Sequence, residues 1–215
     1  MTESGDRRPI AARDLGIMQR LAGALVRRGA SADGISLAGM GAGLLAGLCL
    51  AGTAWWPQAA IPLWLLGALF IQLRLLANLL DGMVAIGRGI ASPAGELFNE
   101  VPDRVSDTAV LAGLGIAAGD LALGLGAALA AMATAYLRAV GKAAGAPSDF
   151  RGPMAKQHRM ALVTALAIAC AVLPSAWTAA LPGMALWVIL LLSLVTGWRR
   201  LQGAWTQLAQ RNDPE

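Results

Sequence analysis

The sequence predicts an all-α integral membrane protein: six transmembrane helices preceded by an N-terminal interfacial amphipathic helix. Of its 215 residues, 57% are hydrophobic and only 14% are charged, whereas a soluble domain usually carries about 25% charged residues. The mean hydropathy is +0.60. A helix needs about 20 apolar residues to cross the hydrocarbon core of a bilayer, and six runs in the chain reach or approach that length.

The six predicted spans divide the chain into three parts. The spans are residues 35–54, 61–80, 101–118, 121–140, 160–179 and 182–198. They define an N-terminal cytoplasmic or interfacial segment at 1–30, a membrane domain at 31–205 and a cytoplasmic tail at 206–215. The first apolar run begins only at Ile35, after six arginines, so no cleaved secretory signal is predicted.

The segment before the first span has its own pattern. Within residues 10–28, Leu15, Met18, Leu21 and Leu25 recur at helical spacing, and the arginines lie on other faces. This pattern predicts a helix that lies in the membrane interface. The alternative is an ordinary solvated basic tail.

Glycines repeat every four residues in the first span, at Gly39, Gly43 and Gly47. Small residues at this spacing let two helices approach closely, so the repeat predicts helix packing and is consistent with a homodimer. Cys49 and Cys170 both lie in apolar spans, and their positions predict neither a disulfide framework nor a metal-ligand spacing.

The positive residues predict the topology. Beyond the N-terminal segment, Lys and Arg cluster near Arg88, from Arg138 to Arg159, and after Trp198, whereas the turns at 54–60, 117–120 and 173–183 carry none. The positive-inside rule therefore places both termini and the loop near Arg88 in the cytoplasm, in a bacterial-type inner membrane. The net charge of +4 is explained by topology, and no nucleic-acid partner is predicted.

Residues 74–107 contain nearly every ionisable residue at membrane depth, where such side chains are functional candidates by default. On a helix, Arg74, Asn78, Asp81 and Ala85 share one face. A second face of acids and one amide follows, comprising Glu96, Asn99, Glu100, Asp103 and Asp107. Carboxylate and amide oxygens without His or Cys suit a hard cation such as Mg²⁺ or Mn²⁺. The two faces therefore predict a shared site.

The spacing in this stretch resembles the signature D-x-x-D-G-x-x-A-R-x8-G-x-x-x-D-x-x-x-D of the CDP-alcohol phosphatidyltransferases. Without gaps, the signature falls on Asn78, Asp81, Gly82, Ala85, Ile86, Gly95, Asn99 and Asp103. Five of these eight positions match; two have Asn for Asp, and Ile86 replaces the motif Arg. Six spans, an N-terminal interfacial helix and the Tyr136 to Ala139 phrase extend the resemblance over essentially the whole chain.

The resemblance implies roles for individual residues. The implied metal ligands are Asn78, Asp81, Asn99 and Asp103, and Asp103 matches the proposed general base. Glu96, Glu100 and Asp107 are acids that could compensate for the charge lost at the two Asn positions. The signature also implies nucleotide binding at Gly82, Ala85 and Gly95. The further candidates for substrate binding are the cations Arg74, Arg138, Lys156 and Arg159, which a phosphate could reach. Arg74 lies outside the signature; it can pair with Asp81 or Asp107, or reach a substrate phosphate.

The function implied by the resemblance is transfer of a phosphatidyl group from a CDP-linked lipid, such as CDP-diacylglycerol, to an alcohol, with release of CMP in phospholipid biosynthesis. A cation bridging the pyrophosphate would neutralise charge on the departing CMP. The acceptor is open: glycerol phosphate, serine and inositol phosphate all occur in the family. One alternative is a catalytically silent relative that binds CDP-lipid or scaffolds a lipid-synthesis complex. Another is a small transporter, although the sequence has no inverted repeat.

Overall fold

The computed structural model describes residues 15–89 and 93–212, and within these ranges the chain is built from α-helices. The helices are α1 (Gly16–Arg27), α2 (Ala32–Trp55), α3 (Ala60–Gly87), α4 (Pro93–Ala117), α5 (Leu121–Ala143), α6 (Lys156–Val172), α7 (Ser175–Thr178) and α8 (Leu181–Asn212). A short 3₁₀ turn, Pro57–Ala59, joins α2 to α3. The predicted all-α fold is therefore confirmed.

Four segments of the described chain are long and apolar enough to cross a membrane. They are Ala32–Trp55, Pro57–Gly87, Leu121–Ala143 and Ser175–Gln210. The other two predicted spans correspond to α4 and α6. The first half of α4 carries several charged residues, and α6 has only 17 residues, so the count of six spans stays a prediction.

The fifth predicted span, 160–179, is wrong at its C-terminal end. Helix α6 ends at Val172, Leu173 is extended, and Pro174 precedes the single turn of α7. Proline has no backbone N–H and disfavours the helical conformation of the residue before it, which accounts for the break. The last helix, α8, continues well past residue 198 to Asn212, so the predicted tail from residue 206 begins as helix.

Helix α2 packs along both α3 and α4 and lies between them, while α5 packs on α4 and α8, and α6 packs on α3. The glycine repeat makes the close approach to α4 possible. A Cβ at Gly47 would lie 2.3 Å from the backbone oxygen of Ala109, and one at Gly43 would lie 2.4 Å from Cβ of Ser106. The repeat is therefore used inside the chain, and it no longer supports a homodimer.

The apolar core occupies the middle of this bundle. Leu50, Ile71, Leu111, Leu186 and Ile189 have no exposed surface, and they come from α2, α3, α4 and α8. Helix α1 packs on α3, and Arg88 fastens the connection after α1 by donating hydrogen bonds to the backbone oxygens of Gly29 and Ala30. Because neighbouring long helices run in alternating directions, the polar ends of α3, α4, α5 and α6 meet at one end of the bundle.

Candidate active site

Buried carboxylates and cations gather at that end of the bundle. The four described carboxylates are Asp81, Glu100, Asp103 and Asp107, and the five cations that contact them or lie beside them are Arg74, Arg104, Arg138, Lys156 and Arg159. Among the cations, Arg74 belongs to α3 and Arg138 to α5, while Lys156 and Arg159 begin α6. The two polar faces predicted from the sequence therefore meet, and the start of α6 closes the cluster.

Asp81 is the buried acid of α3, with 7% of its surface exposed. One carboxylate oxygen accepts a hydrogen bond of 2.6 Å from the Ser36 hydroxyl of α2, and the other accepts from the backbone N–H of Gly82. Arg74 and Lys156 act on its charge from nearby without a direct ion pair. Asp81 is thus held by neutral donors, which fix its orientation.

Asp103 is the most heavily neutralised acid of the cluster. Its carboxylate forms an ion pair with Arg74, lies 2.6 Å from Nζ of Lys156, and lies 3.6 Å from a terminal nitrogen of Arg104. The sequence suggested Asp81 or Asp107 as the partner of Arg74; the structure instead pairs Arg74 with Asp103. Helices α3, α4 and α6 are therefore joined through one carboxylate.

Asp107 lies one turn further along α4 and pairs with Arg159 at 2.9 Å. Arg159 has 1% of its surface exposed and also donates to the backbone oxygen of Met154 at 2.7 Å. A buried pair of this kind has little access to a ligand. Asp107 and Arg159 thus form the inner wall of the site, and Asp107 is not free to supply charge to a cation.

Glu100 lies nearer the surface and contacts Arg138, with Arg104 at 3.6 Å. The guanidinium of Arg138 also lies over the ring of Phe150, 5.1 Å from its centre. Glu100 is therefore already paired, like Asp107. The side chain of Glu96, the third compensating acid suggested by the sequence, lies outside the described part of the structure.

The remaining predicted residues lie along the same two helices. Asn78, Gly82, Ala85 and Gly95 are half-buried, and Asn99 is exposed. Asp81 and Asp103 contribute carboxylates and the two Asn side chains contribute amide oxygens, a donor set that suits a hard divalent cation. Within 15–89 and 93–212, however, no three His, Cys, Asp or Glu residues are grouped to hold a metal. The oxygen ligands therefore suit such a cation chemically, and their total negative charge is low.

The sequence reasoning missed three residues of the cluster: Ser36, Arg104 and Ser106. Ser106 accepts a hydrogen bond of 3.0 Å from Nε of Arg74 and donates to the backbone oxygen of Pro102. Ser106 lies on the same face of α4 as Asp103, so helical spacing could have identified it. Ser36 has no such signal, because its partner Asp81 is 45 positions away.

The segment between α5 and α6 is tied to α8 beside the cluster. Its backbone is fastened to α8, since Met154 N–H donates to Thr196 at 3.0 Å and Arg200 donates to the oxygen of Arg151 at 3.1 Å. Asp149 accepts hydrogen bonds from Arg151. Burial alone would raise the pKa of the Asp149 carboxyl, but these bonds and the neighbouring charges outweigh it, so the pKa lies below its ordinary value.

The structure thus combines an all-helical bundle, four segments long and apolar enough to cross a membrane, and a cluster of acids and cations at one end. The chain is 30% identical over 202 residues to a phosphatidylinositol phosphate synthase of Mycobacteroides abscessus, covering 88% of this chain and 84% of that protein. It is 29% identical over 196 residues to the corresponding synthase of Mycobacterium marinum, covering 86% and 78%. No model of a known protein family matches the chain.

Solved structures have the same fold. The phosphatidylinositol phosphate synthase of Mycobacterium tuberculosis with CDP-DAG bound superposes with a TM-score of 0.75 at 24% identity, over 93% of this chain and 98% of that one. The same enzyme in complex with manganese and citrate gives 0.74 at 24% identity, over 92% and 93%. By its identity to these synthases over most of its length, the chain belongs to the CDP-alcohol phosphatidyltransferase family and is an enzyme of that family.

Proposed function

We propose that this chain transfers the phosphatidyl group of CDP-diacylglycerol to a phosphorylated polyol of the inositol phosphate kind, with release of CMP. The transfer itself follows from the family; the choice of acceptor is supported by the names of the similar synthases. The observation that carries the proposal is the convergence of Arg74 and Lys156 on Asp103. This convergence brings the signature residues of α3 and α4 next to the basic residues at the start of α6.

The charge balance of the cluster suits two phosphate-bearing substrates. Five cations face four carboxylates in the described site, so the cluster has a positive excess of one before any ligand binds. Arg138 and Lys156 keep 20% and 14% of their side-chain surface exposed, whereas Arg159 is sealed inside. Arg138 and Lys156 are therefore the residues that we assign to the acceptor phosphate, and the assignment of Arg159 to substrate is replaced by a structural role.

We assign a divalent cation, Mg²⁺ or Mn²⁺, to Asp81, Asp103, Asn78 and Asn99. When bound, it would neutralise charge on the pyrophosphate and on the departing CMP. Gly82, Ala85 and Gly95 leave room beside these ligands for the nucleotide. Asp81 is oriented by Ser36, and this orientation is fixed before substrate binds.

Asp103 is assigned as the general base. The hydroxyl oxygen of the acceptor attacks the phosphorus that carries the diacylglycerol, the bond from that phosphorus to the CMP oxygen breaks, and the hydroxyl proton passes to Asp103. In the structure the Asp103 carboxylate is held by Arg74, Lys156 and Arg104. Incoming phosphates would compete for these cations and leave a carboxylate oxygen free to take the proton.

The membrane arrangement completes the proposal. We place six helices, α2 to α6 and α8, in a bacterial-type inner membrane, with both termini and the active site facing the cytoplasm. The Lys and Arg distribution supports this orientation. Helix α1 is assigned to the membrane interface, supported by Leu15, Ile17 and Leu21, which leave 55%, 63% and 41% of their surface exposed. A homodimer is part of the proposal on family resemblance alone.

The direct test is CMP release from CDP-diacylglycerol by the purified protein with Mg²⁺ or Mn²⁺. We expect activity with inositol phosphate and much less with glycerol phosphate, serine or inositol. Asp81→Asn and Asp103→Asn should each reduce the rate about 100-fold or more, the usual effect of losing a general base or a charged ligand. Asp120→Asn is the matched control, because Asp120 caps α5 by accepting from Leu123 N–H, and Asn caps a helix equally well.

Two outcomes would overturn the proposal. CMP release that persists in folded Asp103→Asn protein removes the assigned base. A wild type that binds CDP-lipid without turnover under either metal would favour the silent relative. Orientation is tested separately: a Ser92→Cys variant labelled from the periplasmic face of intact cells would contradict the cytoplasmic site.

A further inference from the structure

Arg74 arises from the middle of α3, a helix long and apolar enough to cross a membrane. Only 3% of its surface is exposed, and a charge at that depth is costly unless a function requires it. Its guanidinium pairs with Asp103 and donates to Ser106 at 3.0 Å. Arg74 thus reaches across from α3 to α4, into the space between the two polar faces.

Helix α2 packs against α3 beside this side chain. Gly39 of α2 faces Arg74, and a Cβ there would lie 3.7 Å from both Cδ and a terminal nitrogen of the arginine. The same Cβ would lie 2.8 Å from Cβ of Ala77. The backbone of α2 at Gly39 therefore packs closely on Ala77 and lies within van der Waals range of Arg74.

The ligands assigned to the divalent cation carry little charge. Of the four, Asn78 and Asn99 are neutral amides, and Asp103 is already neutralised by Arg74 and Lys156. Arg74 also acts electrostatically on Asp81. The assigned site therefore offers far less negative charge to a cation than its oxygen count suggests.

We propose that Arg74 is an internal counter-charge that occupies part of the metal site through its contact with Asp103, so that this chain binds divalent cations weakly and supplies fixed positive charge at the same place. The proposal rests on the metal site assigned under the proposed function. In this arrangement the guanidinium lies against Asp103, one of the residues assigned to the cation, and its positive charge is present at any metal concentration. Asn78 and Asn99 lower the negative charge of the site and Arg74 adds positive charge to it, so all three residues weaken its attraction for a divalent cation.

Removing the charge of Arg74 should therefore open the site to metal. The Arg74→Gln variant is expected to fold, because Asp103 keeps Lys156 at 2.6 Å and Arg104 at 3.6 Å. Mn²⁺ binding, measured by calorimetry on purified protein in detergent, should become at least tenfold tighter, which is about 1.4 kcal/mol. Arg74→Lys keeps the positive charge and should bind Mn²⁺ like the wild type.

A control variant separates local from general charge effects. Arg88→Gln makes the same change near the end of α3, where Arg88 contacts backbone oxygens of the α1 connection; its Mn²⁺ affinity should equal that of the wild type. Thermal melting in detergent confirms that each variant is folded. If Mn²⁺ affinity in folded Arg74→Gln protein is unchanged or weaker, or if neither it nor the wild type binds Mn²⁺, the inference is wrong.

The same preparations keep this inference distinct from the proposed function. CMP release by the wild type tests the transferase activity, whatever the metal affinity of the variants. Wild-type turnover together with equal Mn²⁺ affinity in wild type and Arg74→Gln would overturn the counter-charge role alone. If the arginine were only a structural clamp, Arg74→Lys would lose stability as much as Arg74→Gln does, and the two would share one Mn²⁺ affinity, which also overturns the inference.

Discussion

The two halves of α4 pack against their neighbours by different means. In the first half, Asp103 meets Arg74 and Lys156 through side-chain charges, and just past the midpoint Asp107 pairs with Arg159. In the second half, Gly113 lies so close to α2 that a Cβ there would be 2.2 Å from the backbone oxygen of Gly47. One half is joined by long, charged side chains, and the other by direct backbone contact.

The difference separates the part of the helix that can respond to ligands from the part that cannot. Long charged side chains can exchange partners when phosphates arrive, whereas backbone contacts have no freedom to rearrange in a close-packed interior. The rigid half sets the distance between α2 and α4, and the charged half depends on that distance for its pairs. Substitutions in the two halves should therefore differ in how much they change stability and how much they change ligand binding.

The largest effect is expected at the sealed ion pair. Arg159→Met removes one partner and leaves Asp107 as an uncompensated buried charge, which costs about 3–5 kcal/mol. The double variant Arg159→Met with Asp107→Leu should recover most of that loss. Chemical or thermal unfolding in detergent measures both, and a double variant no more stable than the single one would contradict the pairing.

A smaller loss is expected in the rigid half. Gly47→Ala places a Cβ 2.3 Å from the oxygen of Ala109, and such overpacking costs about 1–3 kcal/mol. Gly41→Ala is the matched control on the same helix, since a Cβ there meets nothing within 4 Å. The control should be neutral or slightly stabilising, because alanine favours a helix over glycine. Equal melting temperatures for the two variants would show that the contact between α2 and α4 at Gly47 tolerates a side chain.

Substitutions at exposed positions of the charged half should instead change ligand affinity with little change in stability. Asn99→Asp adds a carboxylate at an exposed position of the assigned metal site, worth about 0.5–1 kcal/mol for a screened charge, or roughly a two- to fivefold lower metal concentration for half-maximal CMP release. Repulsion among neighbouring acids is the competing effect. A metal titration of wild type, Asn78→Asp, Asn99→Asp and the double variant distinguishes the two, and a higher metal requirement would mean that the amides are suited to this site.

The smallest effect is expected at Asp149, in the segment between α5 and α6. The pKa of Asp149 is lowered in the folded protein, so its interaction with Arg151 stabilises the fold above the unfolded pKa of about 4 and is lost as the pH falls through the folded value. The melting temperature of wild type should exceed that of Asp149→Asn at pH 7, and the gap should close on acidification below about pH 4. If the difference in melting temperature widened at low pH, this result would contradict a lowered pKa of Asp149 in the folded protein.

The sequence predicted the helices and the polar stretch well, because both depend on local patterns. Hydrophobic runs located each helix to within a few residues at most ends, and the signature placed Asp81 and Asp103 in adjoining polar faces. One error has a local cause, since Pro174 ended the fifth predicted span early. The other errors are not local: Glu100 and Asp107, suggested as spare acids, turned out to be paired. Those pairs involve residues distant in sequence, which no periodicity reveals.

The sequence by itself determined the helical membrane class, the grouping of acids and amides on two faces, and the family. Hydropathy and residue spacing are read from the amino-acid sequence alone, so these predictions did not depend on which helices pack together. Only the tertiary structure decided which charge meets which: Arg74 with Asp103, and Arg159 with Asp107 across 52 positions. The physical reason is that ion pairing depends on how the helices are spaced and turned relative to one another, and that geometry is set by the packing of whole helices from distant parts of the chain.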